Sequence, residues 1–162
     1  RAAYWTAGAG LTADLANSAV NTGEAAGDTY TSVENLQGTN FDDILRGDSG
    51  ANTLFGGSGE DVLEGRLGAD TLCGGAGQDT FVFADETDVA DLVLDFERGS
   101  DVLDVAAWGV YRFDELTLTS TAQGADLHRV AVSNGTNEFL LDALSGSDVA
   151  SIAADDFLFT LA

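Results

Sequence analysis

Five oxygen-bearing side chains, Asp43, Asn52, Asp61, Asp70 and Asp79, recur at a constant interval of nine residues. Each follows a glycine by five positions (Gly38, Gly47, Gly56, Gly65, Gly74) and precedes an apolar residue by two (Leu45, Leu54, Leu63, Leu72, Phe81). The ionised carboxylates among them can only accept hydrogen bonds, and the glycine-rich stretches between them leave backbone carbonyls unshielded. Such a set offers oxygen donors; paired carboxylates could in principle serve glycoside cleavage, but Asp42-Asp43, Glu60-Asp61 and Asp155-Asp156 are better explained by a cation or by solvent. Two carboxylates brought close repel each other unless a cation lies between them. About six oxygens at roughly 2.3 to 2.6 Å suit a hard cation of flexible geometry, which describes calcium better than magnesium or zinc.

The elements that must position these donors follow from the period. Numbering the slots from the glycine, the windows start at Gly38, Gly47, Gly56, Gly65 and Gly74, and the last ends at Val82. A strand of about three residues places slot eight inward and slots seven and nine outward. The other six residues must reverse the chain, and glycines at slots one, two and four permit left-handed angles and close backbone approach. Two windows complete one coil of about 18 residues, and coils stack at about 4.8 Å. The expected fold is all-β: a parallel β-roll, with Asp43 above Asp61, Asn52 above Asp70 and Asp61 above Asp79 along its two rims.

These windows resemble the glycine-glycine-x-glycine-x-aspartate-x-apolar-x nonapeptide of the RTX, or hemolysin-type, calcium-binding repeats, most closely over Gly56 to Val82. The resemblance implies that each ion takes carbonyls from slots two and four and the slot-six side chain of one turn. Carbonyls from slots one and three and the slot-six side chain two windows later complete it. One implied site uses Thr39, Phe41, Asp43, Gly56, Ser58 and Asp61. A second uses Asp48, Gly50, Asn52, Gly65, Leu67 and Asp70, and a third Gly57, Gly59, Asp61, Gly74, Ala76 and Asp79. Extending the register puts Glu34 and Asp88 at slot six, giving flanking sites between Glu34 and Asn52 and between Asp70 and Asp88, the latter with the carbonyls of Arg66 and Gly68. The expectation is three to five calcium ions. Phe41 at slot four and the uncharged Asn52 depart from the pattern.

Residues 1–37 carry no clear nonapeptide and are expected to cap the N-terminal edge, since an open solenoid edge invites strand pairing. The roll is assigned to residues 38–88. Residues 89–162 read as an antiparallel, sandwich-like β part, with runs at Asp91–Phe96, Val102–Val105, Leu116–Thr119, Leu127–Val132 and Glu138–Leu141, and an Asn134-Gly135 hairpin signal. A helical turn is expected near Ser147–Ile152, before a closing strand at 155–159. This part resembles the C-terminal domain of serralysin-type proteases. By that resemblance the C-terminus is a signal read by type I secretion machinery, and the chain a non-catalytic module of a secreted Gram-negative exoprotein. The start at Arg1 and the absence of Met suggest an upstream domain in the same polypeptide. Modules of alginate-modifying epimerases and lyases are also similar, which gives polysaccharide as an alternative partner.

Composition narrows the classes further. Six basic against 28 acidic residues give a net charge of −22, which disfavours nucleic acid and anionic membranes as partners. No run approaches the roughly 18 apolar residues of a membrane span. The single Cys73 forbids an internal disulfide, and slot nine places it outward. Gly47-Asp48-Ser49-Gly50 matches the tetrapeptide around a protease serine, but His128, the only histidine, lies far downstream and the nonapeptide register accounts for all four residues. One histidine cannot build a zincin site either. Slot seven reads Ile44, Thr53, Val62, Thr71 and Thr80, which breaks the threonine row of an ice-facing repeat. Tyr4, Trp5, Trp108 and Tyr111 could form a sugar-stacking platform, though isolated aromatics more often pack.

Overall fold

A computed structural model of the chain describes residues 1–84, 90–110, 112–122, 127–145 and 152–158. The strands in chain order are β1 (Ala2–Ala3), β2 (Thr12–Asp14), β3 (Asn35–Gln37), β4 (Ile44–Arg46), β5 (Thr53–Ser58), β6 (Val62–Glu64) and β7 (Thr71–Ala76). There follow β8 (Thr80–Val82), β9 (Asp91–Val93), β10 (Val102–Asp104), β11 (Thr117–Ala122), β12 (Leu127–Ser133), β13 (Glu138–Ser145) and β14 (Phe157–Leu158). Successive strands of the repeats alternate between two sheets, because each six-residue turn carries the chain across to the opposite face. One sheet runs β1-β3-β5-β7-β9-β13-β12-β11 and the other β14-β10-β8-β6-β4-β2.

Register in both sheets is set by the inward slot-eight side chains. Leu36, Leu54, Leu72, Val93, Leu141 and Val130 lie opposite one another across the first sheet, all fully buried. Ala13, Leu45, Leu63, Phe81, Leu103 and Phe157 do the same across the second. The outward slots of these strands are only half-buried or exposed. A slip of one residue would exchange the two sets, so the leucine ladder fixes the stacking of the turns.

Parallel stacking does not stop at residue 88. β9 and β10, read from sequence as part of an antiparallel region, pair in parallel with β7 and β8. Their inward residues Val93 and Leu103 extend the apolar ladders, and burying those side chains dictates the pairing. Antiparallel pairing begins at β13, which adds to β9 in parallel and then folds back through β12 to β11. The expected hairpin at Asn134-Gly135 joins β12 to β13, with Gly135 at φ 91. Beneath it Phe83 stacks on Phe139 with centroids 3.8 Å apart, and Trp108 packs at a tilt 5.6 Å from Phe139. Trp108 and Tyr4 are therefore core residues and not a sugar platform; Trp5 is exposed, and Tyr111 lies outside the described residues.

Both ends are closed by segments without the repeat. At the N-terminus β1 and β2 add to β3 and β4, one-turn 3-10 helices at Ser18–Val20 and Gly23–Ala25 bury Ala25, and the Tyr4 hydroxyl donates to Asp28 Oδ2 at 2.6 Å. At the C-terminal edge β14 covers β10, and Asp156, 2% exposed, accepts the amides of Ala153 and Gly99 beside Arg98. A 3-10 turn occupies Ala154–Asp156; residues 147–151 of the helical turn expected near Ser147–Ile152 and the end of the closing strand lie outside the described residues.

Leu63 stands between Leu45 and Phe81 with no exposure. Leu63→Ala should lower stability by about 2 to 5 kcal/mol. Val62→Thr, on the outward slot that already holds Thr53, Thr71 and Thr80, should cost less than about 1 kcal/mol. Denaturant unfolding in saturating calcium measures both; equal losses would contradict the assigned inward face.

Candidate metal centre

The slot-six side chains are buried at the rims: Asp43, Asp61, Asp70 and Asp79 are each 1% exposed and Asn52 3%. Each aspartate does the same backbone work. Its Oδ1 accepts the slot-six amide of the coil before it. On one rim Leu11 N–H donates to Asp43 (2.8 Å), Asp43 N–H to Asp61 (2.8 Å), Asp61 N–H to Asp79 (3.0 Å) and Asp79 N–H to Asp101 (3.0 Å). On the other, Asn52 N–H donates to Asp70 (2.7 Å) and Asp70 N–H to Asp91 (2.8 Å). Buried amides need acceptors, so an acid at this slot ties one coil to the next even before any ion is considered.

The second carboxylate oxygen separates the turns into two kinds. Where the slot-two backbone is not left-handed, at Thr39 and Asp48, its own amide closes onto slot six: Thr39 N–H to Asp43 Oδ2 (2.6 Å) and Asp48 N–H to Asn52 Oδ1 (2.7 Å). The amide of Glu97 does the same to Asp101 Oδ2 at 2.7 Å. In the windows with glycine at slot two the backbone turns the other way, with Gly57 at φ 129 and Gly75 at φ 105. The Gly75 amide goes instead to Asp95 Oδ2 at 2.9 Å. Asp61 Oδ2 and Asp79 Oδ2 are left buried with no hydrogen-bond donor. A buried, acceptor-only oxygen without a donor is costly, and it is the group that a cation would satisfy.

Carbonyls of neighbouring coils crowd these oxygens. A β-carbon at Gly56 would lie 2.3 Å from Asp61 Oδ2 and 2.5 Å from the Gly74 carbonyl oxygen. The same convergence occurs at Gly38, with Asp43 Oδ2 and the Gly56 oxygen, and at Gly47, with Asn52 Oδ1 and the Gly65 oxygen. Slot one must be glycine because oxygen occupies the space of its side chain. In each case the two oxygens belong to one of the three sites expected from the repeat. The slot-two and slot-four carbonyls of Thr39, Gly57, Gly59 and Gly50 press toward Gly57, Gly75, Gly77 and Gly68 of the following coil. Among the described residues no three His, Cys, Asp or Glu side chains converge on one point, so the donors at the rims are largely carbonyls. The Ala76 carbonyl also accepts Gly59 N–H at 2.9 Å.

The flanking positions differ from the extrapolated register. Glu34 is exposed, and its backbone carbonyl accepts Thr53 N–H at 2.7 Å. Asp88 lies outside the described residues. On its rim the position below Asp70 is taken by Asp91, fully buried, and on the other rim the position below Asp79 is taken by Asp101, 4% exposed. Longer turns shift both acids out of the nine-residue count. The signal that could have found them is local: each directly precedes a short run with an apolar middle residue, Val93 or Leu103, as Asp61 precedes Val62-Leu63-Glu64.

The electrostatics match this crowding. Burial, with the charges of Asp43, Asp79 and Asp42 adding to it, pushes the Asp61 carboxyl up to about 7. Burial and the same kind of repulsion push Asp101 up to about 6 and raise Asp79. Without a cation Asp61, Asp79 and Asp101 hold protons more tightly than free carboxylates do. Cys73 stands apart: burial, then its hydrogen bond to Asp95 at 3.0 Å, push the thiol up to about 12, so it is held as an unreactive thiol.

A family model described as RTX calcium-binding nonapeptide repeat (4 copies) matches residues 31–63 and 46–81. No curated protein matches the chain. Among solved structures, the AlgE6R2 subunit from the Azotobacter vinelandii mannuronan C5-epimerase is 30% identical, with 76% of this chain and 91% of that chain covered and a TM-score of 0.54. The AlgE6R3 subunit of the same enzyme is 26% identical over 74% of this chain and 79% of that chain, with a TM-score of 0.48. Repeat, rim and the likeness to AlgE6R2 agree, and the chain belongs to the RTX family, whose nonapeptide repeats bind calcium.

Proposed function

We propose that this chain is a calcium-switched folding module of a secreted protein, which supports export and stability of a domain upstream and carries no catalysis itself. The observation that carries this reading is the pair of buried, donorless oxygens Asp61 Oδ2 and Asp79 Oδ2 on one rim. In this reading calcium is held best by Gly57, Gly59, Asp61, Gly74, Ala76 and Asp79. The set Thr39, Phe41, Asp43, Gly56, Ser58 and Asp61 and the set Asp48, Gly50, Asn52, Gly65, Leu67 and Asp70 hold it more weakly, because Asp43 and Asn52 are already closed by their own turns. Arg66, Gly68 and Asp70 face Asp91 in a further site, the role that the nine-residue count gave to Asp88. The ion supplies charge neutralisation and cross-linking of adjacent coils.

The switch follows from the charge. In a compartment poor in calcium, a chain of net charge −22 with 20 glycines repels itself and has little to hold its turns. Outside the cell, calcium at about 10⁻³ M can fill sites of the 10⁻⁴ to 10⁻³ M class found in extracellular modules. A site at tenfold excess over its dissociation constant adds about 1.4 kcal/mol, so a few sites move a marginal fold. The likeness to the AlgE6R2 subunit of a mannuronan C5-epimerase favours a second role alongside this one, binding of an acidic polysaccharide on the outer faces of the sheets. Calcium would then also bridge polymer carboxylates to the acidic surface.

Four measurements test these readings. Circular dichroism across a calcium titration should show a cooperative gain of β signal, and an unchanged folded spectrum in excess chelator would contradict the switch. Asp79→Asn keeps an oxygen for the Asp61 amide and removes the charge, so it should weaken calcium binding at least tenfold, whereas Asp43→Asn should weaken it less; isothermal titration calorimetry ranks the two. In chelator, Asp61 retains its proton in the fold up to about pH 7 against an ordinary value of 3.8, so the calcium-free fold loses stability as pH rises through that window. The calcium-free melting temperature should thus be higher at pH 5 than at pH 8 and calcium affinity lower at pH 5; the reverse order of melting temperatures would refute the account of the rims. Affinity electrophoresis through alginate in calcium tests the polysaccharide role, and undiminished mobility at all polymer loadings would remove it.

A further inference from the structure

Position 66 breaks the repeat in a telling way. It is a slot two, where Gly57 and Gly75 take positive φ, yet it holds an arginine at φ 71. The left-handed region is unfavourable for a residue with a β-carbon, so something must hold Arg66 there. Its guanidinium supplies the reason. One terminal nitrogen donates to the Gly47 carbonyl at 2.7 Å and to Asp14 Oδ1 at 2.9 Å, and the other donates to Asp14 Oδ2 at 2.6 Å. Asp14, at the end of β2 outside the repeats, is 2% exposed. Glu64 Oε1 lies 4.0 Å from the Arg66 Nε, and Glu64 pairs in turn with Arg46 at 2.9 Å.

The Gly47 oxygen is the slot-one carbonyl at the N-terminal end of its rim. Its counterparts, the oxygens of Gly56, Gly65 and Gly74, point into the gap between coils where slot-six oxygens converge. At Gly47 that gap already receives a positive charge, coordinated by one carbonyl and both oxygens of a buried carboxylate. The slot-six groups of this rim stand back from the gap, Glu34 being exposed and Asn52 Oδ1 taken by the Asp48 amide, so the buried Asp14 carboxylate and the Gly47 carbonyl are the oxygens that hold a positive charge there. We propose that the Arg66 guanidinium takes the place of a calcium ion at the N-terminal end of this rim, so that the first coils are fastened without calcium and template the calcium-dependent stacking of the rest. The planar, permanently charged fork of arginine suits a bidentate, buried carboxylate. A second cation beside it would meet direct repulsion. This inference rests on the reading of the rims as calcium sites.

The test is a count of bound calcium ions by native mass spectrometry on the whole chain, with thermal melts in chelator, for the wild type, Arg66→Gly, Arg66→Lys and Asp14→Asn. Arg66→Gly restores the repeat glycine and should bind one more calcium ion than the wild type, regain the wild-type fold in saturating calcium and melt lower in chelator. Arg66→Lys keeps the charge without the fork, so it should melt lower in chelator with no gain in ions. Asp14→Asn should do the same, its lost carboxylate leaving the guanidinium in place. An unchanged ion count in Arg66→Gly, beside a wild type that binds calcium, overturns the substitution whatever the melts show. A wild type that binds no calcium is a separate result, which refutes the calcium reading itself.

Discussion

One side chain holds two coils of this roll together, and the rest of the structure is arranged around it. The slot-six carboxylate is buried, gives one oxygen to the amide of the coil before, and turns the other toward carbonyls of its own and the next coil. The first contact is permanent and geometric, since it satisfies a buried amide. The second is an electrostatic debt that grows with stacking, because each added coil brings another carboxylate to the same rim. Glycine at slot one follows from the crowding of oxygen, and the backbone angle at slot two decides whether the second oxygen is closed by its own turn or left for a cation. The leucine ladder inside supplies the adhesion that keeps coils in register while this repulsion stands.

The parallel stack continues past its repeats. The nonapeptide gives way to longer turns after Val82, yet β9 and β10 stay in the parallel stack because Val93 and Leu103 continue the two apolar rows. At the other end Leu11 occupies a slot-six position and offers only its amide, to Asp43. No carboxylate stands there to be neutralised, and the rim can terminate against the N-terminal segment. The capping acids Asp14 and Asp156 lie outside the repeats and are held by arginine or by backbone amides. Charge at both ends is thus settled within the chain.

Much of this was legible in the residues. A strict period of nine, a fixed glycine and a slot-six aspartate or asparagine located every strand from β4 to β8, the inward row of Leu45, Leu54, Leu63, Leu72 and Phe81, and the pairing of Asp43 with Asp61 and Asp61 with Asp79. What escaped was whatever left the period. Asp91 and Asp101 take up the rims after insertions that no counting rule could size, and β1 and β2 join the sheets through connections that do not carry the nonapeptide. The division of the acids into closed and open was also out of reach, because it depends on the backbone angle at slot two and not on the identity of slot six. Arg66 in particular was read for its carbonyl, while its guanidinium faces the opposite gap.

The central claim is that oxygens of Asp61 and Asp79 share a calcium ion with carbonyls of the intervening turns. Anomalous diffraction from crystals grown in calcium tests it most directly, because the signal identifies the element and its position together. The account predicts a peak between the side chains of Asp61 and Asp79, within about 2.3 to 2.6 Å of the oxygens that the turns present. Density there that carries no anomalous signal and has the spacing of water would contradict it.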